Sequence, residues 1–453
     1  MHPLLVLVLS MSVVIGLIVW ARVHAFLALL IGAVTVGVLA PAINTAEAVT
    51  LAATELGAVT GRIGIIIALA SFIGLGLQQS GGAARIGAFF MGLTGARRSH
   101  YAMAASGYVL SIPVFFDTVF YLMAPLVKAM HVQARAGYSL FLMAVVAGAA
   151  ATHVFVPPTP GPLAAASQLG VDLGLMILVG MIVAAVAVAG GLVYAAWAFR
   201  HWPDLAAHAR RHIEQDAASA PDGPAERQPS LALSILPIVL PIVLIAARTV
   251  VAATGVSGRV ATAATFFGDP NVALFLALLA TMYLLVTTRG TTRVQMAELT
   301  EEAFASAGTI ILITAAGGAY GGMLTRAQIG TVLADHAAAL GLPVLLLAFL
   351  LASLLKIAQG SSTVAIITSA SVIAGVYAGG DPTQLPHPVY AALSAAGGSL
   401  VISWMNDSGF WVIAKMGGLT TSETIRMWTG TAAAVGTTGF LVAVLLSIVV
   451  PLR

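Results

Sequence analysis

The chain has 453 residues, 59% of them hydrophobic and 8% charged, against ~45–50% apolar and ~25% charged for a soluble domain, and its mean hydropathy is +1.00; a water-soluble globule is excluded and one all-α polytopic membrane protein is expected. The absence of cysteine excludes disulfides, thiolate metal sites and thiol nucleophiles. The 20 basic and 17 acidic residues, net +3, are too few and too dispersed for the clustered basic face of a nucleic-acid binder.

In chain order, the first apolar run, residues 3–20, has no basic residue before it and no small-residue cleavage site, so it reads as a retained span rather than a signal peptide. Runs at 23–41 and 63–77 follow. The next, 101–130, is interrupted at its centre by SIPVFFD, Ser111 to Asp117. Breakers and small polar residues meeting in an apolar run predict a re-entrant hairpin, entering and leaving on one side. Spans at 138–165 and 173–198 lead to HARRHIEQDAASAPDGPAERQP, the long polar stretch of the chain, which reads as a solvated linker over 200–230. Further spans are predicted at 231–249, 271–287, 307–324, 388–413 and 430–451. A second interrupted run, 342–378, is broken by AQGSSTV, Ala358 to Val364. The total is ten expected crossings of the ~30 Å hydrocarbon layer and two hairpins. Amphipathic segments before the hairpins, at 80–100 and 325–341, read as arms lying along the interface.

With each hairpin counted as no crossing, one side of the membrane collects Arg22, Arg85, Arg97, Arg98, Lys128, Arg135, Arg200, Arg210, Arg211, Arg227, Arg289, Arg293, Lys415 and Arg426. The positive-inside rule then puts the linker in the cytoplasm and both termini outside. The first hairpin enters from the cytoplasm and the second from outside.

The two halves carry the same features at one offset. Val23 to Asn271 is 248 residues, Gly76 to Gly322 is 246, and tip Pro113 to tip Gly360 is 247. Five crossings per half make the second copy inverted, which divides the chain into a first repeat, 1–199, the linker, and a second repeat, 231–453. Inverted repeats with broken helices in matching positions point to a secondary transporter with a midplane site.

Four interruptions are expected to converge there: the two tips, the break THVFVPPTPGP (Thr152 to Pro162) and SWMNDSGF (Ser403 to Phe410). Helix N-termini in a cavity offer free N–H groups and about half a positive charge each, so a small carboxylate is the expected ligand. The substrate-binding residues are taken as Ser111, Pro113, Thr152, His153, Thr159, Gly161, Gln359, Gly360, Ser361, Ser362, Thr363, Asn406 and Ser408. Taken singly, such hydroxyls more often bond back to their own helix. Ionisable groups inside a membrane cost ~2.5–3.5 kcal/mol at a helix centre and are functional candidates by default. Asp117, Asp407 and His153 can each carry a coupled proton, and Lys356 either attracts substrate or pairs with Asp407. No metal-ligand set and no cofactor motif is present. An intramembrane hydrolase needs a nucleophile beside its base; His153, Asp117 and Asp407 lie on separate segments, and a membrane-embedded hydrolase stays as a minor alternative.

The segments SGGAARIG, SIPVFFD, VPPTPGP, KIAQGSSTVA and WMNDSGFW closely resemble the signature segments of the gluconate permease (GntP-type, gluconate:H+ symporter) family of the ion transporter superfamily, over nearly the whole chain. The resemblance implies import of gluconate, a related sugar acid or a small hydroxy carboxylate, driven by protons, across a bacterial inner membrane. It also implies a homodimer with a scaffold and an elevator-like domain holding the hairpins. It carries site roles onto Ser111, Pro113, Asp117, the Thr152 to Pro162 break, Gln359 to Thr363 and Asn406 to Asp407. The family pattern has a glutamate at Asp117, a histidine near Thr159 and an acid at Gln78 or Gln79, departures that bear on substrate choice and coupling ion. A sodium-coupled di- or tricarboxylate carrier of the same architecture is the second reading.

Overall fold

A computed structural model describes residues 2–94, 99–134, 137–211, 213, 229–329, 332, 342–379, 385–405 and 407–452. The fold is helical, with no strand among the described residues. Helices α1 (Pro3–Val19), α2 (Ala25–Leu39), α3 (Ala48–Gln79), α4 (Gly82–Thr94), α5 (Ser99–Leu110), α6 (Phe116–Ala134), α7 (Tyr138–Phe155), α8 (Pro160–Leu169) and α9 (Leu173–His201) precede the linker. After it come α10 (Leu231–Ala253), α11 (Arg259–Phe267), α12 (Pro270–Arg289), α13 (Arg293–Arg326), α14 (Val344–Gln359), α15 (Ser362–Gly379), α16 (Pro388–Gly398) and α17 (Ser408–Gly417). The last helix, α18 (Thr421–Val449), contains a π-helical turn over Ile425–Thr429.

Local chemistry marks the starts of these helices. Proline stands in the first turn of α1, α8, α12 and α16, where its missing N–H would be unpaired in any case. Asp172 caps α9 by accepting from Leu175 N at 2.9 Å, Ser230 caps α10 by accepting from Leu233 N at 3.3 Å, and Thr292 with Gln295 forms a capping box at α13.

Among the described residues, eight helices are long and apolar enough to cross a membrane, against the ten crossings expected. Seven of the expected runs are among them. The runs at 3–20 and 23–41 fold into helices of only 17 and 15 residues, and the run at 388–413 is cut into α16 and α17. The eighth, Ser362–Gly379, is one arm of the second interrupted run. An apolar stretch read linearly does not reveal where its backbone leaves the helix. The arm expected at 325–341 lies mostly outside the described residues, as does most of the linker. The arm expected at 80–100 contains α4.

Burial sorts the helices into an inner and an outer set. Of the most apolar window of α7–α8, 89% is buried, against 22% in α10 and 28% in α18. Leu441, Leu445 and Ile448 of α18 stand exposed at three- and four-residue spacing, a lipid-facing stripe. In bilayer the hydrophobic effect does not draw helices together, so close contact depends on small residues that let backbones approach. A Cβ on Gly148 of α7 would lie 2.0 Å from the Ala104 carbonyl oxygen of α5, and one on Gly398 of α16 would lie 2.1 Å from that of Phe349 in α14. The broken helix of each half is thereby seated against the first arm of its own interrupted run. The two longest helices, α3 and α13, pack against one another; Arg326 Nη2 at the C-terminal end of α13 pairs with Glu55 Oε1 near the start of α3 at 2.7 Å.

Candidate functional site

At four of the breaks among the described residues α6, α8, α15 and α17 begin, and the N-termini of these four helices meet at one cavity of about 420 Å³. That volume lies within the ~300–1,000 Å³ usual for small-ligand sites. Phe115, Phe116 and Asp117 line it from α6, Pro160 from α8, Gly360 to Val364 from the α14–α15 turn, and Asp407 to Gly409 from α17; Ala150, His153 and Val154 of α7 and Ile310 and Ile313 of α13 complete its wall with Leu400 and Trp428.

The α14–α15 turn is built on Gly360, whose φ of +88° is open to glycine but costly for residues with a Cβ. Its N–H closes α14 on the Lys356 carbonyl at 2.9 Å. Ser361 then accepts from Val364 N at 3.3 Å, capping α15, and the Ser362 hydroxyl donates to the Ser399 carbonyl at 3.0 Å. On the other break, Asp407 caps α17 by accepting from Gly409 N at 3.0 Å through Oδ1. Its Oδ2 faces Lys356 Nζ at 2.8 Å, and the same ammonium donates to the Gly360 carbonyl at 2.5 Å. Lys356 is 1% exposed. One buried cation thus ties the α14 terminus to the α16–α17 break, satisfying a helix-end carbonyl and a carboxylate at once. Of the two roles open to Lys356, pairing with Asp407 is the one observed. Asp117 has no salt bridge among the described residues, so of the two carboxylates in the cavity wall Asp407 is the one paired with an ammonium, that of Lys356 behind it. His153 Nδ1 is buried without a hydrogen-bond partner among the described residues.

Of the expected binding residues, His153, Gly360, Ser361, Ser362, Thr363 and Ser408 line the cavity together with Asp117 and Asp407. Ser111, Pro113, Thr152 and Thr159 do not appear in its wall. Thr152 donates to the Gly148 carbonyl at 3.3 Å and Thr159 to the Val156 carbonyl at 2.6 Å, the bonding back to local backbone that short hydroxyl side chains favour. Ser111 is fully buried and continues the α5 ladder through its N–H to the Gly107 carbonyl at 3.0 Å. Pro113 leans on α3, its carbonyl oxygen 3.0 Å from where a Gly74 Cβ would stand, and borders a neighbouring cleft. The cavity receives the residues two to four places later, because α6 starts at Phe116. Gly161 lies behind the wall, where a Cβ would meet Ile366 Cδ1 at 2.8 Å, so α8 packs tightly on α15. Asn406 and the Gln359 side chain lie outside what is described. The aromatic wall, Phe115, Phe116 and Trp428, and the aliphatic Ile310 and Ile313 are additions that sequence reasoning missed. Phe115 and Phe116 lie inside the SIPVFFD interruption, where the polar residues alone stand out, while Ile310, Ile313 and Trp428 carry no local signal, and only the tertiary arrangement turns them inward.

The model of the GntP family permease matches residues 2–449. The chain belongs to the GntP permease family. It is 32% identical over 456 residues to a gluconate permease of Pseudomonas aeruginosa, with 99% of each chain covered, and 30% identical over 439 residues to the low-affinity gluconate transporter of Escherichia coli, with 96% of each covered. An E. coli relative described as the inner membrane permease YgbN is 32% identical, with 94% of each chain covered. Among solved structures the fold resembles the YdaH transporter of Alcanivorax borkumensis, with a TM-score of 0.62, 14% identity and coverage of 94% and 98% of the two chains. This GntP-family chain is therefore a multi-span membrane transport protein, in agreement with the transporter reading and against the intramembrane hydrolase.

Proposed function

We propose that this permease imports gluconate or a related sugar acid by proton symport across a bacterial inner membrane. The observation that carries the reading is the meeting of four helix N-termini, a neutralised Lys356–Asp407 pair and Asp117, which has no salt bridge among the described residues, around one cavity. Free N–H groups and partial positive charge at helix N-termini suit a carboxylate, and hydroxyls at Ser361, Thr363 and Ser408 suit a hydroxylated chain. Relatives named for gluconate, and one of E. coli named an L-idonate transporter at 28% identity over 97% of this chain, support the substrate class.

Asp407 already uses both oxygens, one on Lys356 and one on Gly409 N, whereas Asp117 makes no salt bridge among the described residues; Asp117 is accordingly assigned the coupled proton. One monoanion plus one proton moves no net charge, which avoids about 2.3 kcal/mol per charge per 100 mV. The two interrupted runs and two broken helices recur in the same order, from Ala25 to His201 and from Pro270 to Val449, which supports an inverted repeat whose hairpins travel together against a scaffold in an elevator-like, homodimeric assembly. The bias of basic residues supports a cytoplasmic linker and outside termini.

Uptake of radiolabelled gluconate into proteoliposomes tests the reading. Accumulation is expected to follow an imposed pH gradient, inside alkaline, and to respond little to potential alone. Uptake that follows a sodium gradient at constant pH refutes proton coupling in favour of the sodium-coupled reading.

A further inference from the structure

Three tryptophans near the cavity differ in one respect. Trp404 donates its indole N–H to the Ile357 carbonyl at 3.0 Å and Trp411 to the Met405 carbonyl at 2.8 Å. Trp428 is 3% exposed and lines the cavity, yet its Nε1 has no acceptor among the described residues. Indole nitrogen is a donor only, and buried tryptophans ordinarily satisfy it. An unmet donor on a residue that lines a cavity is a candidate contact for what the cavity holds.

The backbone around it is equally unusual. Trp428 belongs to the five-residue π-helical turn Ile425–Thr429, a form that is rare and concentrated at functional sites. Two hydrogen bonds to segments outside α18 hold the turn. Tyr194 of α9 donates its hydroxyl to the Arg426 carbonyl at 2.6 Å, and the Thr429 hydroxyl of the turn donates to the Ser403 carbonyl in the α16–α17 break. The extra residue of a π turn shifts the angular position of what precedes it relative to the rest of the helix. Here it sets the indole against the Phe116 ring, with centroids 4.9 Å apart, directly beside Asp117.

We infer that Trp428 is a specificity-determining residue, whose indole N–H donates to a hydroxyl oxygen of an open-chain polyhydroxy carboxylate while the Phe116 and Trp428 rings pack on the C–H flank of the same chain. Such a ligand presents alternating C–H and O–H groups, which match a wall made of aromatic carbon and one unmet donor. A short or fully apolar carboxylate supplies no hydroxyl at that place. The inference rests on the sugar-acid reading above and adds to it a contact away from the charged end of the substrate.

The test pairs Trp428→Phe, which keeps a ring and removes the donor, with the series of monodeoxy gluconates as competitors of radiolabelled gluconate uptake. In the native protein one deoxy analogue is expected to bind about five- to thirtyfold more weakly than gluconate, about 1–2 kcal/mol at 1.4 kcal/mol per tenfold. In W428F gluconate itself is expected to weaken by that factor, and the difference between it and that one analogue to vanish; this non-additivity is the signature of a direct contact. Native tryptophan fluorescence should shift on adding gluconate, and the shift should shrink in W428F. A uniform loss for gluconate and every analogue, or no change at all, overturns the inference and leaves the transport reading standing. Failure of the native protein to bind any sugar acid overturns both.

Discussion

Replacing Lys356 by Met removes the one ammonium from a site where two acceptors depend on it. Its Nζ lies 2.8 Å from Asp407 Oδ2 and 2.5 Å from the Gly360 carbonyl, and the side chains of the pair are 1% and 10% exposed. Breaking a buried pair from one side leaves an uncompensated charge and costs about 3–5 kcal/mol. In the double variant K356M/D407N the charge is gone, and the amide oxygen still caps α17, since Asn and Asp are equivalent N-caps. What remains is the unsatisfied Gly360 carbonyl, about 1–3 kcal/mol. The double variant should therefore be more stable than K356M alone by about 2 kcal/mol, although it carries one more change. Unfolding in mixed micelles, followed by circular dichroism for the native protein, both single variants and the double, gives the cycle. Coupling below about 0.5 kcal/mol, the level expected of independent sites, would show that the pair does not hold the two breaks together.

Asp117→Asn should abolish accumulation driven by a pH gradient while leaving counterflow exchange of gluconate, because exchange needs no net proton movement; unchanged accumulation would remove Asp117 from the role. Gly148→Val places carbon where the Ala104 carbonyl oxygen stands only 2.0 Å from the first added atom, so α5 and α7 must separate. A loss of about 1–3 kcal/mol, the usual range for overpacking, should appear as a lowered melting temperature, and an unshifted melt would contradict the close crossing. Glu55→Gln, by contrast, opens the Arg326 pair, in which the arginine and glutamate side chains are 45% and 22% exposed. That change should cost under about 1 kcal/mol and become negligible in high salt; a larger loss would mean the pair is buried in the folded protein.

Much of the candidate site is legible in the sequence. Prolines and glycines in otherwise apolar runs mark all four breaks, because a backbone leaving the helix inside a membrane has to be specified by residues that cannot continue it. Gly360, Ser361, Ser362, Thr363, Ser408, Asp117, Asp407 and His153 stand out for that reason, and all of them line the cavity. Ser111, Pro113, Thr152 and Thr159 belong to the same motifs but stay out of its wall: the two threonines bond back to their own backbone, Pro113 leans on α3, and the Ser111 hydroxyl is buried without a partner among the described residues. A motif locates a break to within a turn, while the direction of each side chain depends on where the following helix begins.

Composition and the run of apolar segments are by themselves enough to establish a helical membrane protein, since an unpaired peptide group is too costly in hydrocarbon for other open structures. The charges and breakers are enough to place a polar site within it. Which residues face that site is decided by packing. Trp428 turns inward because a π turn is held by Tyr194 and Thr429, and Lys356 meets Asp407, 51 residues further along the chain, because α14 lies against α16. Both depend on contacts between segments far apart in the chain, and no local pattern encodes these.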